Sequence, residues 1–204
     1  YRAAVGAGPA AVEREILRFE WDGAAQVWRE THMAWWEDSL NPLLNGKPKF
    51  RYGNDGSWEY RAFDARGRET LRAEPLDGSG HPPFAAGPAP FALSAAAAYA
   101  PFDALVTETS YTPLTGDGDA VNDSREPREV SVYAVKGGTP TLVSREWRVF
   151  TRGVSGEFPA VTRTTVRAAS PSSAFDDPAN AVSVTISVAE DDASVPVLLR
   201  GRPL

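Results

Sequence analysis

Cysteine is absent from this 204-residue chain, histidine occurs twice and methionine once. Without thiols there is no disulfide framework, no Cys-based metal site and no Cys nucleophile, and the redox compartment leaves no trace. Two histidines without cysteine do not by themselves complete the ligand set of a zinc site. Long apolar runs are missing too. The alanine-rich stretch at residues 92 to 98, bracketed by Pro90 and Pro101, falls short of the roughly 20 residues that span a bilayer as a helix, so no membrane insertion is expected. Lys and Arg are scattered and the formal net charge is −6. A nucleic-acid partner would need a basic stripe to neutralise phosphates, and none is present. Tyr1-Arg2-Ala3 offers neither an initiator Met nor a signal-peptide pattern, so the expectation is a piece of a longer chain.

What the sequence does have is turn chemistry set among aromatics. In Lys49 to Pro75, Asn54-Asp55-Gly56 and Asp64-Ala65-Arg66-Gly67 each combine side chains that bond to their own backbone with a glycine free to take positive φ. Between them, Ser57 to Phe63 alternates: Trp58, Tyr60 and Ala62 on one face, Glu59, Arg61 and Phe63 on the other. With Phe50 to Tyr52 before and Arg68 to Glu74 after, this predicts a three-stranded antiparallel meander. A helix would bury Gly56 and Gly67 in its interior, at about 1 kcal/mol each relative to Ala.

The segment DGSWEYRAFDARGRETLRAEP resembles the tyrosine-aspartate repeats of the rearrangement-hotspot (RHS) and YD-repeat family, large bacterial surface or secreted proteins with teneurin-like β-shells. The repeat's aromatic-Asp-x-x-Gly-Arg motif stands here as Phe63-Asp64-Ala65-Arg66-Gly67-Arg68, with Phe in the tyrosine position. The resemblance implies structural roles for Asp55, Gly56, Trp58, Tyr60, Phe63, Asp64, Gly67 and Arg68. It also implies a sheet that spirals into a shell, which in some members encloses a toxin domain. Phe19-Glu20-Trp21-Asp22 is a degenerate echo, because Gly23 follows Asp22 directly. From Thr109 onward the sequence is similar to a subset of long YD-repeat proteins. Some members cleave themselves at an Asp-Pro-x-Gly sequence; here Asp177-Pro178 is followed by Ala179-Asn180, and that activity is not inferred.

In chain order, residues 1 to 11 read as a loose lead-in, and Arg14 to Trp21 and Gln26 to Thr31 as strands. A loop covers residues 39 to 48. The Pro/Ala-rich insert at 77 to 103 has too many prolines for alternating strands. Ser94 is placed to cap a short helix there; a mobile surface loop is the other reading. Strands then follow at Leu105 to Tyr111, Arg128 to Val135, Thr141 to Phe150 and Ala160 to Ala168. Val130, Val132 and Ala134 share a face, and Gly137-Gly138 and Gly153 to Glu157 mark breaks. The cleanest alternation is Val182 to Val188, predicted to turn Val182, Val184, Ile186 and Val188 inward. Glu190 to Leu204 reads as a final strand around Val195 to Leu199 or as a frayed end. The fold class expected is all-β, an antiparallel meander of short hairpins in a single domain over residues 1–204. It is either elongated and spiralling or a compact sandwich.

Catalytic chemistry is thin. His32 and His81 sit in no nucleophile motif, and Gly78-Ser79-Gly80-His81 is not a nucleophile elbow. Asp55, Glu59, Asp64 and Glu69 crowd the central turns, where carboxylates more ordinarily cap turns and keep strands soluble. Asp117, Asp119, Asn122 and Asp123 are weak calcium candidates, since calcium takes several oxygen ligands; a solvated loop is the plainer reading. Trp35 and Trp36 are either core residues or a stacking platform for sugars. No catalytic residue and no cofactor is expected. The functional expectation is a non-catalytic wall segment of a secreted or cell-surface RHS-like protein, its partners being neighbouring repeats of the parent chain and, within a shell, an enclosed toxin. The alternative is a glycan- or protein-binding module using Trp35, Trp36 or the 77–103 insert.

Overall fold

A computed structural model describes residues 2–5, 12–15, 17–24, 27–36, 41–76, 103–118, 126–189 and 197–203. The chain is all-β. The strands β1 (Arg2–Val5) and β2 (Val12–Glu15) form an antiparallel pair. A second sheet holds ten strands: β3 (Leu17–Asp22), β4 (Val27–Trp35), β5 (Pro48–Gly53), β6 (Trp58–Phe63), β7 (Glu69–Pro75), β8 (Ala104–Ser110), β9 (Glu129–Lys136), β10 (Thr139–Ser155), β11 (Phe158–Arg167) and β12 (Ala181–Val188). Their order is that of the sequence, β3 at one edge and β12 at the other, so the sheet is an open meander. Among the described residues the only helical turn is a 3-10 turn at Val197–Leu199, and no helix is long and apolar enough to cross a membrane. The possible helix of the 77–103 insert lies outside the described residues.

Contacts gather the chain into two compact units, Tyr1–Glu108 with Val132–Leu142 and Thr109–Ser131 with Val143–Leu204. The first has the aromatic core that the alternation of β6 predicts. Trp58 and Tyr60 are each 2% exposed, and with Phe50, Leu71, Ala73, Ala104, Val106 and Val135 they form one cluster. Registry explains this: Ala34, Phe50, Tyr60, Ala73 and Val106 lie opposite one another across successive strands, so their side chains stand on one face. On β9 the core takes Tyr133 and Val135, the residues alternate to Val130, Val132 and Ala134. In the second unit Trp147, Phe150, Ala160, Val166, Val188 and Ala189 are buried.

Several expectations are corrected. The lead-in contains strand β1, paired with β2 through Val5 and Val12. The break expected over Gly153 to Glu157 narrows to its last two residues: Gly153 is in the strand and pairs with Ala160, and the turn is made at Gly156, which has φ of 62°. A glycine without a positive-φ demand is tolerated in a strand, so composition alone does not say which of the two glycines makes the turn. No strand forms at residues 197–199, where the chain takes the 3-10 turn. The inward valines of β12 are overturned most clearly. Val182 and Val184 are 62% and 60% exposed, Ile186 is exposed as well, and only Val188 is buried. The alternation is real, but β12 ends the sheet and no described residue covers its apolar face beyond Val188.

Candidate functional site

The Phe63–Arg68 motif sits at the β6–β7 turn and is built as a closed hydrogen-bond set. Asp64 Oδ1 accepts the main-chain N–H groups of Arg66 and Arg68, each at 2.9 Å. Its Oδ2 accepts the Arg68 guanidinium at 2.7 Å. The main chain closes the turn, with Gly67 N–H donating to Asp64 C=O at 2.8 Å and Asp64 N–H to Arg68 C=O at 2.9 Å. Partial burial pushes the Asp64 carboxyl up, but the hydrogen bonds from Arg68 and Arg66 outweigh it and hold the group below its ordinary value. Gly67 has φ of 74°. A Cβ there would also lie 3.1 Å from the Leu43 carbonyl oxygen and 2.9 Å from Lys47 Cε, so this glycine answers two demands at once. Lys47 also places its ammonium 4.9 Å from the Phe63 ring centroid. The Asp55-Gly56 turn repeats the device: Asp55 Oδ1 accepts from Ser57 N–H and Oγ. Those two bonds, the hydroxyl first, hold the Asp55 carboxyl low. Gly56 also has positive φ, but open space beside it.

On the face of β5–β7 opposite the core, charges form a balanced ladder. Glu59 receives Arg61 Nε at 2.5 Å, Arg72 Nε at 3.2 Å and Arg51 Nη2 at 3.9 Å. Arg61 reaches Glu69 and Arg72 reaches Glu74. The carboxylates Asp55, Glu59, Asp64 and Glu69 are therefore each committed to a turn or to a guanidinium.

Trp35 and Trp36 part company. Successive strand residues point to opposite faces, and the register shifts at Ala34/Trp35. Trp35 lines a shallow cleft of about 230 Å³ with Met33, Pro48, Arg51, Glu59 and Arg61. Trp36 packs against the core and donates its indole N–H to the Arg61 carbonyl at 3.1 Å. They form no shared platform. The exposed aromatic pair lies elsewhere, at Trp21 and Trp28, which the sequence reading passed over. They face each other across the β3–β4 hairpin, ring centroids 5.5 Å apart and planes tilted by 59°, and are 55% and 59% exposed, with Phe19 beside them at 46%. The signal was available in the spacing: the Asp22 turn makes Trp21 and Trp28 cross-strand neighbours. Asp22 accepts from Ala24 N–H and from Arg29, the same side-chain-to-backbone turn that Asp55 and Asp64 make.

The side chain of Asp117 is fully buried against that of Arg128, also fully buried. Its Oδ2 accepts Arg128 Nε and its Oδ1 accepts Phe150 N–H at 3.3 Å. Arg128 Nη1 donates to the Glu126 carbonyl, and the guanidinium lies 4.2 Å from the Phe150 ring centroid. The other calcium candidates, Asp119, Asn122 and Asp123, lie outside the described residues, as does His81. Among the described residues no group of three or more His, Asp or Glu is placed to hold a metal. His32 stacks on Tyr52 at 4.6 Å and shares a 2.5 Å hydrogen bond with Glu30. The fold is compatible with a structural role. Against family models, curated proteins and solved structures, the chain matches none.

Proposed function

We propose that this chain is a non-catalytic wall segment of a large secreted or surface-exposed protein of RHS-like build. The observation that carries the reading is the coincidence of motif and architecture. The aromatic-Asp-x-x-Gly-Arg sequence falls on the β6–β7 turn, within a sheet whose every strand lies beside its sequence neighbours. Three turns use an Asp side chain to cap their own backbone, as expected of a hairpin that recurs. Further support comes from the polar inventory: the central carboxylates and guanidiniums neutralise one another in a ladder of ion pairs. In such a wall the partners are neighbouring strands of the parent chain, and no cofactor is required.

An antibody raised against this chain tests the reading in the source cells. The expected antigen is a polypeptide far longer than 204 residues, recovered from the medium or accessible on intact cells. A cytosolic species of about this chain's length would overturn it. A second reading, a glycan- or protein-binding module, draws on one specific observation, the exposed Trp21–Trp28 pair. Flat rings with one open face stack on apolar sugar faces or fill a partner's pocket. A glycan array should then give hits that Trp28→Ala abolishes; an array without hits removes the glycan form of that reading.

A further inference from the structure

Several aromatic rings of this protein are capped by its own cations. Lys47 lies over Phe63 and Lys49 over Trp36, while Arg128 stands over Phe150 and Arg145 over Trp147. The negative face of a ring draws a cation in each case. Trp21 and Trp28 differ. Both are more than half exposed, and among the described residues their ring contact is with each other and no Lys or Arg lies over either.

Register places a carboxylate beside this pair and keeps the guanidiniums away. Trp21 faces Trp28 and Phe19 faces Glu30 across the hairpin, and residues two apart on a strand share a face. Trp21, Trp28, Phe19 and Glu30 therefore stand together, with His32 next along β4. Arg18 and Arg29 hold the alternate positions and stand on the opposite face. Glu30 uses one oxygen, Oε1, toward His32 Nε2. Its Oε2 takes no hydrogen bond among the described residues. The local charge balance has the same sign. Arg18 pairs with Glu20, and Arg29 is shared between Asp22 and Asp55, so with Glu30 the carboxylates around the hairpin outnumber the guanidiniums.

We propose that Trp21, Trp28 and Glu30 form a docking site for an arginine side chain of a partner protein. A guanidinium is flat and weakly hydrated, so it stacks on an indole while its edge donates N–H groups to a carboxylate. Trp28 and Glu30 are about 7 Å apart along the strand, a span that an arginine fork lying over the ring covers. A lysine ammonium reaches the same carboxylate but stacks less well. A quaternary ammonium suits the rings and has no N–H for Glu30, and an anionic ligand meets like charge. The proposal rests on the second reading above, in its protein-binding form, and names the partner's chemistry; the wall-segment reading is not needed for it.

The test is an NMR titration of the whole chain, followed at the indole N–H signals that Trp21→Ala and Trp28→Ala identify. The probe is capped Gly-Arg-Gly, compared with its lysine form and with its citrulline form, which keeps the shape but has no charge. The arginine peptide should shift the Trp21 and Trp28 signals with a Kd of about 10 mM or below. The lysine and citrulline forms should each bind at least about threefold more weakly. Glu30→Gln should weaken the arginine peptide about threefold. Glu157→Gln removes an exposed charge from the β10–β11 turn and should leave binding unchanged. Both are surface substitutions, so melting temperatures should stay near the parent's. Signals that do not move with the arginine peptide overturn the proposal. So does a lysine or citrulline form that binds as tightly, choline that competes as well as the arginine peptide, or a Glu157→Gln effect equal to that of Glu30→Gln. Methyl β-glucoside separates this failure from that of the reading beneath it. If the sugar moves the two signals and the arginine peptide does not, the binding reading stands in its glycan form and the proposal falls; if neither moves them, both fall.

Discussion

The meander β5–β7 and the hairpins β10–β12 are both written in alternating sequence, yet they end differently. In the first, alternation is spent twice: Phe50, Trp58 and Tyr60 go into the core and Glu59, Arg61 and Arg72 form an ion-pair ladder on the other face. In the second, burial fades across the sheet. Trp147 and Val166 are buried, and Phe175 meets the Trp147 ring edge-on at 5.8 Å. One strand further, Val182 opposite Val166 is open to solvent. The loop between β11 and β12 explains where covering stops. Asn180 is buried and pins this loop by donating to the Ala174 and Phe175 carbonyls and accepting Ala169 N–H. That holds Phe175 on Trp147 and leaves the middle of β12 bare. Alternation reports which face is apolar; only what packs above it decides whether that face is a core.

The contrast is broken most sharply by truncating one residue in each region. Trp58→Ala removes a ring that is 2% exposed and stacked on Phe50, and should cost about 3–5 kcal/mol. Val184→Ala removes exposed surface and should stay within about 0.5 kcal/mol. Trp58→Phe should cost much less than the alanine change, because the indole N–H it deletes finds no hydrogen-bond partner among the described residues. Urea denaturation of the three variants measures all of this. Equal losses from Trp58→Ala and Val184→Ala would mean that the burial difference between the two regions is wrong.

The second unit has its own deep anchor, and it is polar. Arg128→Met leaves Asp117 buried without its cation and should cost about 3–5 kcal/mol. The double change Arg128→Met with Asp117→Leu should recover part of that loss, since no uncompensated charge remains. If the double variant is less stable than the single, the pair does not act as a unit.

This anchor also marks the limit of what the sequence made legible. Strand positions from β5 to β9 follow from local alternation and from turn residues whose chemistry is self-contained, such as Asp64 with Arg66 and Arg68. The Asp117–Arg128 pair is separated by a loop, and the identity of its partner depends on Phe150 of β10 reaching both groups. No local pattern announces that. In the same way Trp35-Trp36 drew notice as a doublet, whereas Trp21 and Trp28 become a pair only through the β3–β4 register.

A finer comparison sets the two meander turns against each other. Gly67 and Gly56 share positive φ, so a β-branched side chain at either is strained by about 1–2 kcal/mol. At Gly67 a Cβ also meets the Leu43 carbonyl oxygen at 3.1 Å, a backbone atom that cannot swing aside. Gly67→Val should therefore lower the melting temperature clearly more than Gly56→Val. Equal shifts would show that the Leu43 contact imposes nothing beyond the backbone angle.

The smallest effect expected is a titration. The carboxyls of Asp64 and Glu146 are held low despite the opposing push of burial: Asp64 by hydrogen bonds from Arg68 and Arg66, and Glu146 by Arg167 and Arg148. That of Asp55 is held low by Ser57. A carboxyl with a depressed value in the folded chain binds its proton more readily when unfolded. Its stabilisation is present above the ordinary value of 3.8 for Asp and is lost as pH falls through the folded value. Melting temperature should thus fall with acidification below about pH 4. Asp64→Asn keeps an oxygen acceptor for the Arg66 and Arg68 N–H groups but gives up the charge-assisted bond to the guanidinium. At about pH 7 the variant should lie about 1 kcal/mol below the parent. As pH falls below the ordinary Asp value and through the lower folded one, the gap should narrow, because the parent's own carboxyl then takes up its proton. A gap that stays constant across that range would mean the Asp64–Arg68 contact owes its strength to geometry alone and not to charge.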